Sequence, residues 1–451
     1  MTISVIGVIF AIAYIVVLLV APSRLIWVIA AAVPFAQTAM IQVPAVAVNP
    51  FYFGLLLAAA RYAHHKVGDA LHPDRAPQRA AVPGRLLRLG FLVYATAITI
   101  IGPWLFEGTP VLTPRGGIDD QLANLTPLAP TISNVAQLSY LILGYIFVLY
   151  VERERNVTPR VFEISIAIGL GIALATIVLG GAFPRELFDN VGAMRYDVWG
   201  TRLRGSFAEP SIFGAFLAAC LAYLVSVSAQ ARGARLAAYV VGIALSLYMY
   251  VLSYSGTALV ALAILAGVAA FMYALRLTRK RLTGAVSATF LLLAVSALLV
   301  VGGAQIIAFV DDQFSGKLGT DSFSFRSQAN DVGWEAFLSS SGIGVGLGSN
   351  RPSSLFFMLL SCVGIVGALL FFGWILSVIF ASWRSAVASP VAWALLGVVL
   401  AQIAAKPDLS MPTMWITLAL ASAASARLQA PPFAVSTAPP AVVSTQGTLV
   451  P

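Results

Sequence analysis

The chain has 451 residues, of which 59% are hydrophobic and only 10% are charged. This composition excludes an ordinary soluble globular protein, in which about a quarter of the residues are charged. The formal net charge is +9. In a soluble protein such a charge would suggest a nucleic-acid partner, so its distribution along the chain decides its meaning.

Apolar runs long enough to cross a membrane recur along almost the whole chain. A transmembrane helix needs about 20 predominantly apolar residues, and thirteen runs are candidates. They cover residues 3–20, 25–41, 46–62, 89–106, 132–151, 161–179, 211–228, 236–252, 257–275, 283–310, 354–380, 391–405 and 413–426. We therefore predict an all-α fold, a polytopic membrane bundle of about 12–13 transmembrane helices within residues 1–427. Pro34, Pro44 and Pro50 interrupt the second and third runs, so broken or re-entrant segments are expected there.

The charged residues are unequally divided between the two sets of alternating loops. One set carries 18 of the 27 basic residues and 5 of the 18 acidic residues, and the other carries 9 and 13. Basic residues concentrate in cytoplasmic loops, so the first set is predicted to face the cytoplasm. The net charge then reflects this bias and an attraction to membrane lipids, and no nucleic-acid partner is expected.

Three predicted outer loops, 107–131, 180–210 and 311–353, are long enough to have structure of their own. In the third loop, residues 322–338 have the spacing of a short amphipathic helix, with Ser322 as a plausible N-cap. Its apolar face would contain Phe325, Ala329, Val332 and Ala336. Residues 428–451 are rich in Ala, Pro, Ser and Thr, and they are predicted to form a disordered tail.

No motif predicts a cofactor or a metal ion. The histidines His64, His65 and His72 lie in a basic loop of the predicted cytoplasmic side, where a solvated loop is favoured over a metal site. The two cysteines, Cys220 and Cys362, lie in apolar segments and are interpreted as buried hydrophobic residues. The chain has no Walker motif and no correctly spaced dinucleotide fingerprint.

Candidate functional residues concentrate in the predicted outer loops. Arg202 and Arg204 precede a long apolar segment, and in an extended chain residues two apart share a face. Both guanidiniums could then bind one diphosphate. The alternative is that they pair with lipid head groups or with nearby acids such as Asp197.

Glu209 precedes Pro210, and proline suits the first turn of a helix. The helix dipole at that position favours an ionised carboxylate, which can accept a proton. The sequence leaves two roles open for Glu209: a general base, or a structural cap or salt bridge to Arg204.

Arg326 lies in the predicted loop helix, and Arg351 follows a series of glycines, Gly342, Gly344, Gly346 and Gly348. A glycine-rich segment of this kind is expected to be flexible and to expose backbone N–H groups to an anion. The alternative is a flexible connection that re-enters the membrane. Residues 253–257, Ser-Tyr-Ser-Gly-Thr, form a predicted outer turn whose hydroxyl groups either bind sugar or, as we favour, satisfy helix ends.

Three passages resemble the O-antigen polymerase and ligase superfamily of bacterial polysaccharide assembly. They are Arg-Gly-Ser-Phe-Ala-Glu-Pro-Ser at 204–211, the turn Leu-Ser-Tyr-Ser-Gly-Thr at 252–257, and the stretch from Arg326 through Trp334 and Phe337 to the Gly-Val-Gly-Leu-Gly of 344–348. The resemblance covers about residues 132–380. Ligases of the superfamily typically have a histidine after the glycine run. Here that region reads Ser-Asn-Arg-Pro-Ser at 349–353, and no histidine follows His72.

The resemblance implies a glycosyltransferase that polymerises undecaprenyl-diphosphate-linked oligosaccharide repeats at the outer face of the bacterial cytoplasmic membrane. It assigns catalysis to Glu209, Arg204 and Arg326, and substrate binding to Arg202, Arg351, Ser211, Ser255 and Gly346. Expected partners are the lipid-linked oligosaccharide, membrane lipids, and a chain-length regulator and flippase of the same pathway. The alternatives are a ligase that transfers finished glycan, a flippase or exporter of lipid-linked sugars, and a non-catalytic subunit.

Overall fold

The computed structural model describes residues 2–43, 46–72, 82–112, 125–154, 156–189, 202–279, 321–405 and 409–429. Within these ranges the α-helices are α1 (Val5–Val20), α2 (Leu25–Ala32), α3 (Pro50–Leu71), α4 (Arg85–Leu105), α5 (Ile132–Arg153), α6 (Val161–Leu179), α7 (Pro210–Ser228), α8 (Ala234–Ser253), α9 (Gly256–Arg279), α10 (Asp321–Ser339), α11 (Leu355–Ser382), α12 (Ser389–Ala405) and α13 (Pro412–Gln429). Five short strands accompany them: β1 (Thr2–Ile3), β2 (Ile41–Val43), β3 (Val46–Val48), β4 (Pro110–Val111) and β5 (Thr126–Pro127).

The protein is an all-α, multi-pass membrane bundle, as its composition predicts. Six helices, α4 to α8 and α11, are long and apolar enough to span a bilayer, with mean hydropathies between 1.6 and 2.6. Shorter apolar helices lie at α1, α2, α9 and α12. On α1, the side chains of Ile9, Ile12 and Ile15 are more than half exposed. Such an apolar surface is typical of contact with lipid.

The core of the bundle is built around α7, which packs against α8, α9 and α12. A helix that is apolar on every side is expected to be buried, and Phe213, Phe216 and Leu217 of α7 have no exposed surface. Gly397 of α12 lets that helix approach α7 closely, because a Cβ there would lie 3.1 Å from the carbonyl oxygen of Ala218. Small residues permit this close packing between membrane helices.

The predicted spans 25–41 and 46–62 are wrong as continuous helices. The first ends after α2 in a 3₁₀ turn at Val33–Phe35, where Pro34 supplies no N–H group. The chain then forms an antiparallel sheet of order β1–β2–β3, with Ile41 opposite Val48. The second begins again at Pro50, after Asn49 accepts the N–H of Tyr52 at 2.9 Å. The interruption expected from the prolines is therefore confirmed at Pro34 and Pro50.

Most other predicted spans agree with the helices to within a few residues, and the predicted span 161–179 coincides with α6. Helix α3 continues to Leu71, so His64 and His65 are helical rather than part of a loop. Helix α10 is present as predicted, but it begins at Asp321, which places Ser322 inside its first turn. The predicted span 283–310 and residues 430–451 of the predicted tail lie outside the described residues.

Ion pairs join the helices at the end of the bundle that carries most basic residues, which we call the predicted cytoplasmic end. Arg88 of α4 contacts Glu152 of α5 at 2.5 Å, and both side chains are at least nine-tenths buried. The hydroxyl of Ser422 on α13 donates to the same carboxylate oxygen at 2.5 Å. These contacts fix α4, α5 and α13 together. The opposite end, which carries Arg204 and Ser255, is the predicted outer end.

Helix α11 is broken at Gly364, whose φ of 63° and ψ of −172° are not helical. The glycine segment 342–348 lies in this break. Val345 donates its N–H to the carbonyl of Ser361, and Gly346 donates to Cys362, both at 2.8 Å. Irregular backbone is tolerated in a membrane bundle where protein groups satisfy it, and this segment meets that condition.

Candidate functional site

The loop 202–209 is bound to two parts of the bundle at the predicted outer end. Leu203 donates its N–H to the carbonyl of Leu252 at the end of α8, at 3.0 Å. The hydroxyl of Ser206 donates to the carbonyl of Pro34 at 2.7 Å. Gly205 has a φ of +56°, a conformation that glycine adopts without strain. The loop is therefore an ordered part of the packed structure.

The guanidinium of Arg204 is buried, with only 5% of the residue exposed, and it is paired with Asp189. One nitrogen also donates to the carbonyl of Phe207 at 2.9 Å. These bonds lie within the protein, so the predicted clamp, in which Arg202 and Arg204 bind one diphosphate together, is not formed in this structure. The alternative of pairing with an acid fits Arg204, although the acid is Asp189 and not Asp197, which lies outside the described residues.

Asp189 is a residue whose importance the sequence analysis missed. Its neighbour Phe188 stacks on Phe35 and on Phe183, with ring centroids 6.0 and 5.1 Å apart. The hydroxyl of Thr38 donates to the carbonyl of Phe188 at 2.9 Å. The aromatic residues near Asp189 in the sequence were the only signal that this acid lies in an ordered segment.

Arg202 is half-buried beside the turn that joins α8 to α9. Its Nε donates to the carbonyl of Ser253 at 3.2 Å, and its Nη2 donates to that of Tyr254 at 2.9 Å. Burial lowers the pKa of this guanidinium, and the positive charge of Arg326 lowers it further, whereas the carboxylate of Glu209 raises it. The charges of Arg326 and Glu209 thus both act on Arg202.

Glu209 is the N-cap residue of α7, and Pro210 occupies the first helical position. Its side chain caps no backbone N–H group of the helix. Instead, the hydroxyl of Ser211 donates to Oε2 of Glu209 at 2.9 Å. The predicted role of the Glu209 side chain as a structural cap is therefore wrong, and its role as a general base stays a prediction.

At the turn 253–255, the hydroxyl of Ser253 donates to the carbonyl of Tyr250 at 2.7 Å, a helix-end contact of the kind that the sequence analysis favoured. Tyr254 ends α8 in the left-handed conformation, with a φ of 46°. The carbonyl of Ser255 accepts the N–H of Leu259 at 3.3 Å and the hydroxyl of Tyr250 at 3.3 Å. Ser255 is 96% buried, so the turn closes two helix ends beneath Arg202.

Helix α10 carries Arg326 above the start of α11. Ala329 and Ala336 of its predicted apolar face are buried, at 2% and 1% exposure. A Cβ on Gly333 would lie 3.0 Å from Pro352, so the helix packs closely on the segment before α11. Ala336 also joins the small cluster formed with β4 and β5. The buried face of the predicted amphipathic helix therefore packs against other parts of the protein.

Arg351 lies beside β4, which belongs to another predicted outer loop. Its N–H donates to the carbonyl of Leu112 at 3.0 Å, and the Asn350 side chain accepts the N–H of Leu112 at 3.0 Å. The Nδ2 of Asn350 is buried and has no hydrogen-bond partner in the described part of the chain. These bonds hold the half-buried Arg351 at the predicted outer end.

The glycine segment was predicted to offer backbone N–H groups to an anion. This prediction is wrong for the following N–H groups, which already donate hydrogen bonds within the protein. The N–H of Gly344 donates to Ser340 at 3.1 Å, and that of Gly346 donates to Cys362. The N–H of Leu347 donates to Thr99 at 3.0 Å. Glycine is needed because φ is positive at 342, 344, 346 and 348. Gly346 is therefore a packing residue whose backbone donor is already used.

Metal ligands do not cluster in the described ranges, where no group of three or more His, Cys, Asp or Glu side chains could hold an ion. His65 lies 3.7 Å from Glu154 at the predicted cytoplasmic end. The site at the predicted outer end consists of arginines, one carboxylate and hydroxyl groups. This set can bind an anionic group and accept a proton.

The chain was compared with known proteins. No protein-family model matches it, and no curated protein matches it either.

Arg204 and Asp189 allow a test of the structural role assigned to their pair. Arg204→Ala is expected to lower the free energy of unfolding by about 3 kcal/mol, because it leaves a partly buried carboxylate without its partner. The double variant Arg204→Ala with Asp189→Ala should recover part of this loss. Unfolding of the purified protein in detergent measures both effects. Strictly additive losses would show that the two side chains do not interact.

Proposed function

We propose that this protein is a membrane glycosyltransferase that polymerises lipid-diphosphate-linked oligosaccharide units at the outer face of the bacterial cytoplasmic membrane. The observation that carries the proposal is the placement of Arg202 and Glu209 in one ordered loop at the predicted outer end, where Arg202 is hydrogen-bonded to the turn at Ser253 and Tyr254 and Glu209 to Ser211. Arg326 is near enough for its charge to act on Arg202. The three passages that resemble the polymerase and ligase superfamily contain these residues or directly adjoin them.

The charges at this site suit the departure of a lipid diphosphate. In such a transfer an acceptor hydroxyl attacks the anomeric carbon, the bond from that carbon to the diphosphate oxygen breaks, and negative charge develops on the leaving group. Guanidinium groups fixed in a partly desolvated position stabilise that charge. The donor is already activated, so the enzyme's task is to orient two substrates and to meet the developing charge.

Glu209 is the candidate group for accepting the proton of the acceptor hydroxyl. It is half-buried, and its Oε2 accepts a hydrogen bond from Ser211. Ser211 would hold the carboxylate in one orientation, since a base must lie within hydrogen-bonding reach of its proton. In this proposal Arg204 acts only through structure, by holding the loop, and Arg326 and Arg202 are the residues that meet the diphosphate.

The placement of charges within the bundle favours an enzyme over an ion-coupled flippase or exporter. In the six long apolar helices, every charged residue lies within four residues of a helix end. Coupled transporters use ionisable side chains at membrane depth. The charged residues of these six helices instead lie near the helix ends.

The direct test is an assay with purified protein in liposomes and an undecaprenyl-diphosphate oligosaccharide as the only sugar substrate. A polymerase yields a ladder of products that grow by whole repeat units and release lipid diphosphate. Transfer of one finished glycan to a different acceptor would identify a ligase. Movement of intact units between leaflets, without new glycosidic bonds, would identify a flippase. Absence of all three activities in correctly folded wild-type protein would contradict the proposal.

A further inference from the structure

A cavity of about 290 Å³ lies between α6 and α8, away from the site at Arg202. Its walls are almost entirely apolar and include Leu170 and Gly171 of α6 and Gly242 of α8, with Leu224 of α7 between them. We call it the α6–α8 groove. A pocket of this size and lining suits a hydrocarbon chain.

The loop 202–205 lies on the predicted outer side of the α6–α8 groove. It reaches from α6 to α8, because Gly205 packs against Ala173 of α6 and Leu203 is bonded to Leu252 of α8. The groove lining runs from Glu163 to Leu174 along α6. At 1.5 Å per residue this distance is roughly 16 Å, about half the thickness of a hydrocarbon core. The groove therefore matches one acyl chain of one leaflet.

The only charged side chain in the lining of this groove is Glu163, at the predicted cytoplasmic end. Its Oε1 accepts the hydroxyls of Tyr223 and Tyr239 at 3.0 and 2.9 Å. Within the described part of the chain, its Oε2 accepts no hydrogen bond. A carboxylate oxygen at the mouth of an apolar groove is suited to a cationic donor.

Two exposed arginines flank Glu163. Arg160 precedes it by three residues at the start of α6, and Arg235 precedes Tyr239 by four residues on α8, so each lies one turn from its neighbour. Tyr239 in turn donates its hydroxyl to Glu163 at 2.9 Å, so both arginines lie at the same end of the groove as this carboxylate. Guanidinium groups at this level can bind a lipid phosphate.

We infer that the α6–α8 groove binds an ethanolamine phospholipid from the leaflet at the predicted cytoplasmic end. One acyl chain lies along Leu170 and Gly171, the ammonium group binds Glu163, and the phosphate binds Arg160 and Arg235. The arrangement of one carboxylate between two guanidiniums matches the separated charges of this head group. The site lies at the opposite end of α6 and α8 from Arg202, so it is independent of the proposed transferase activity.

The groove is tested by filling it. A Cβ on Gly171 meets no atom within 4 Å, and the same is true of Gly267 on α9, which is outside the groove. Native mass spectrometry of the full chain, titrated with phosphatidylethanolamine, should show binding weakened about tenfold by Gly171→Leu, the effect of excluding two methylene groups. Gly267→Leu is the matched control and should bind as the wild type does. Ala238→Leu, on the opposite wall, repeats the test if Gly171→Leu does not yield monodisperse protein.

The head group is tested separately with Glu163→Gln. The wild type should bind phosphatidylethanolamine about fivefold more tightly than phosphatidylglycerol, the upper range for an exposed ion pair, and Glu163→Gln should remove this preference. Equal affinities for the two lipids in the wild type would overturn the head-group assignment. Equal binding by Gly171→Leu, Ala238→Leu and Gly267→Leu would overturn the groove itself.

Discussion

Replacing Arg326 with alanine is expected to abolish long-chain polysaccharide in cells while single lipid-linked units persist. In the proposed reaction the Arg326 guanidinium meets charge that develops on the departing diphosphate. Removal of one such donor typically slows catalysis by about 100-fold or more. Product length on a gel of extracted glycans measures the effect, and the in vitro ladder should shorten in parallel. Arg326→Lys should also fail, because lysine keeps the charge but loses the planar, two-pronged contact.

Arg232→Ala is the matched control for this prediction. Arg232 is exposed in the connection between α7 and α8 at the predicted cytoplasmic end, and it has no role in the proposed site. Its loss should leave polymer length unchanged. Normal polymer from a stably produced Arg326→Ala protein would end the proposal for Arg326. Accumulation of long lipid-linked polymer, in place of single units, would favour the ligase alternative.

Replacing Gly364 with alanine is expected to prevent stable folding. The φ and ψ of Gly364 lie in a region that other residues occupy only at a cost of about 1–3 kcal/mol. A Cβ at this position would also lie 2.2 Å from the carbonyl oxygen of Gly342 and 2.4 Å from that of Ile343. Both are backbone atoms, so the glycine segment must leave its place in the break of α11. The yield of monodisperse protein and its melting temperature in detergent measure the loss.

Gly373→Ala provides the control within the same helix. A Cβ at Gly373 meets the tip of the Leu87 side chain at 3.3 Å, and that side chain can adjust. Alanine is preferred over glycine inside a helix by about 0.5–1 kcal/mol, so Gly373→Ala should be neutral or mildly stabilising. Equal melting temperatures for Gly364→Ala and the wild type would show that the break in α11 is not fixed by the glycine segment.

The sequence predicts the membrane helices well because each is a local feature. Helix α6 could be bounded to the residue, since a largely apolar run with one charged residue, Glu163, lies between Arg160 and Gly180. The prolines likewise indicated where α2 ends and where α3 begins. The sheet β1–β3 could not be predicted, because its strands are only two or three residues long and β1 pairs with residues of β2 that lie about 40 positions away.

The site was predictable in its composition but only partly in its contacts. Glu209 and Ser211 are neighbours in the sequence, and their hydrogen bond is local. The pairing of Arg204 depends on where the segment ending at Asp189 lies, which is set by aromatic stacking on Phe35. The glycine spacing predicted a flexible segment with exposed N–H groups, because it contained no information about which groups would accept those N–H groups.

The segment 342–351 is hydrogen-bonded to α5 through Asn134, to α4 through Thr99 and to α11 through Ser361. If Arg351 binds glycan in the proposed transferase, a force on this residue is shared among three helices. Rotation or withdrawal of the segment would break hydrogen bonds to all three at once, so the segment is stiff. A polymer lengthening at the proposed site would therefore have to move past a fixed segment, because this segment could not move outward with it.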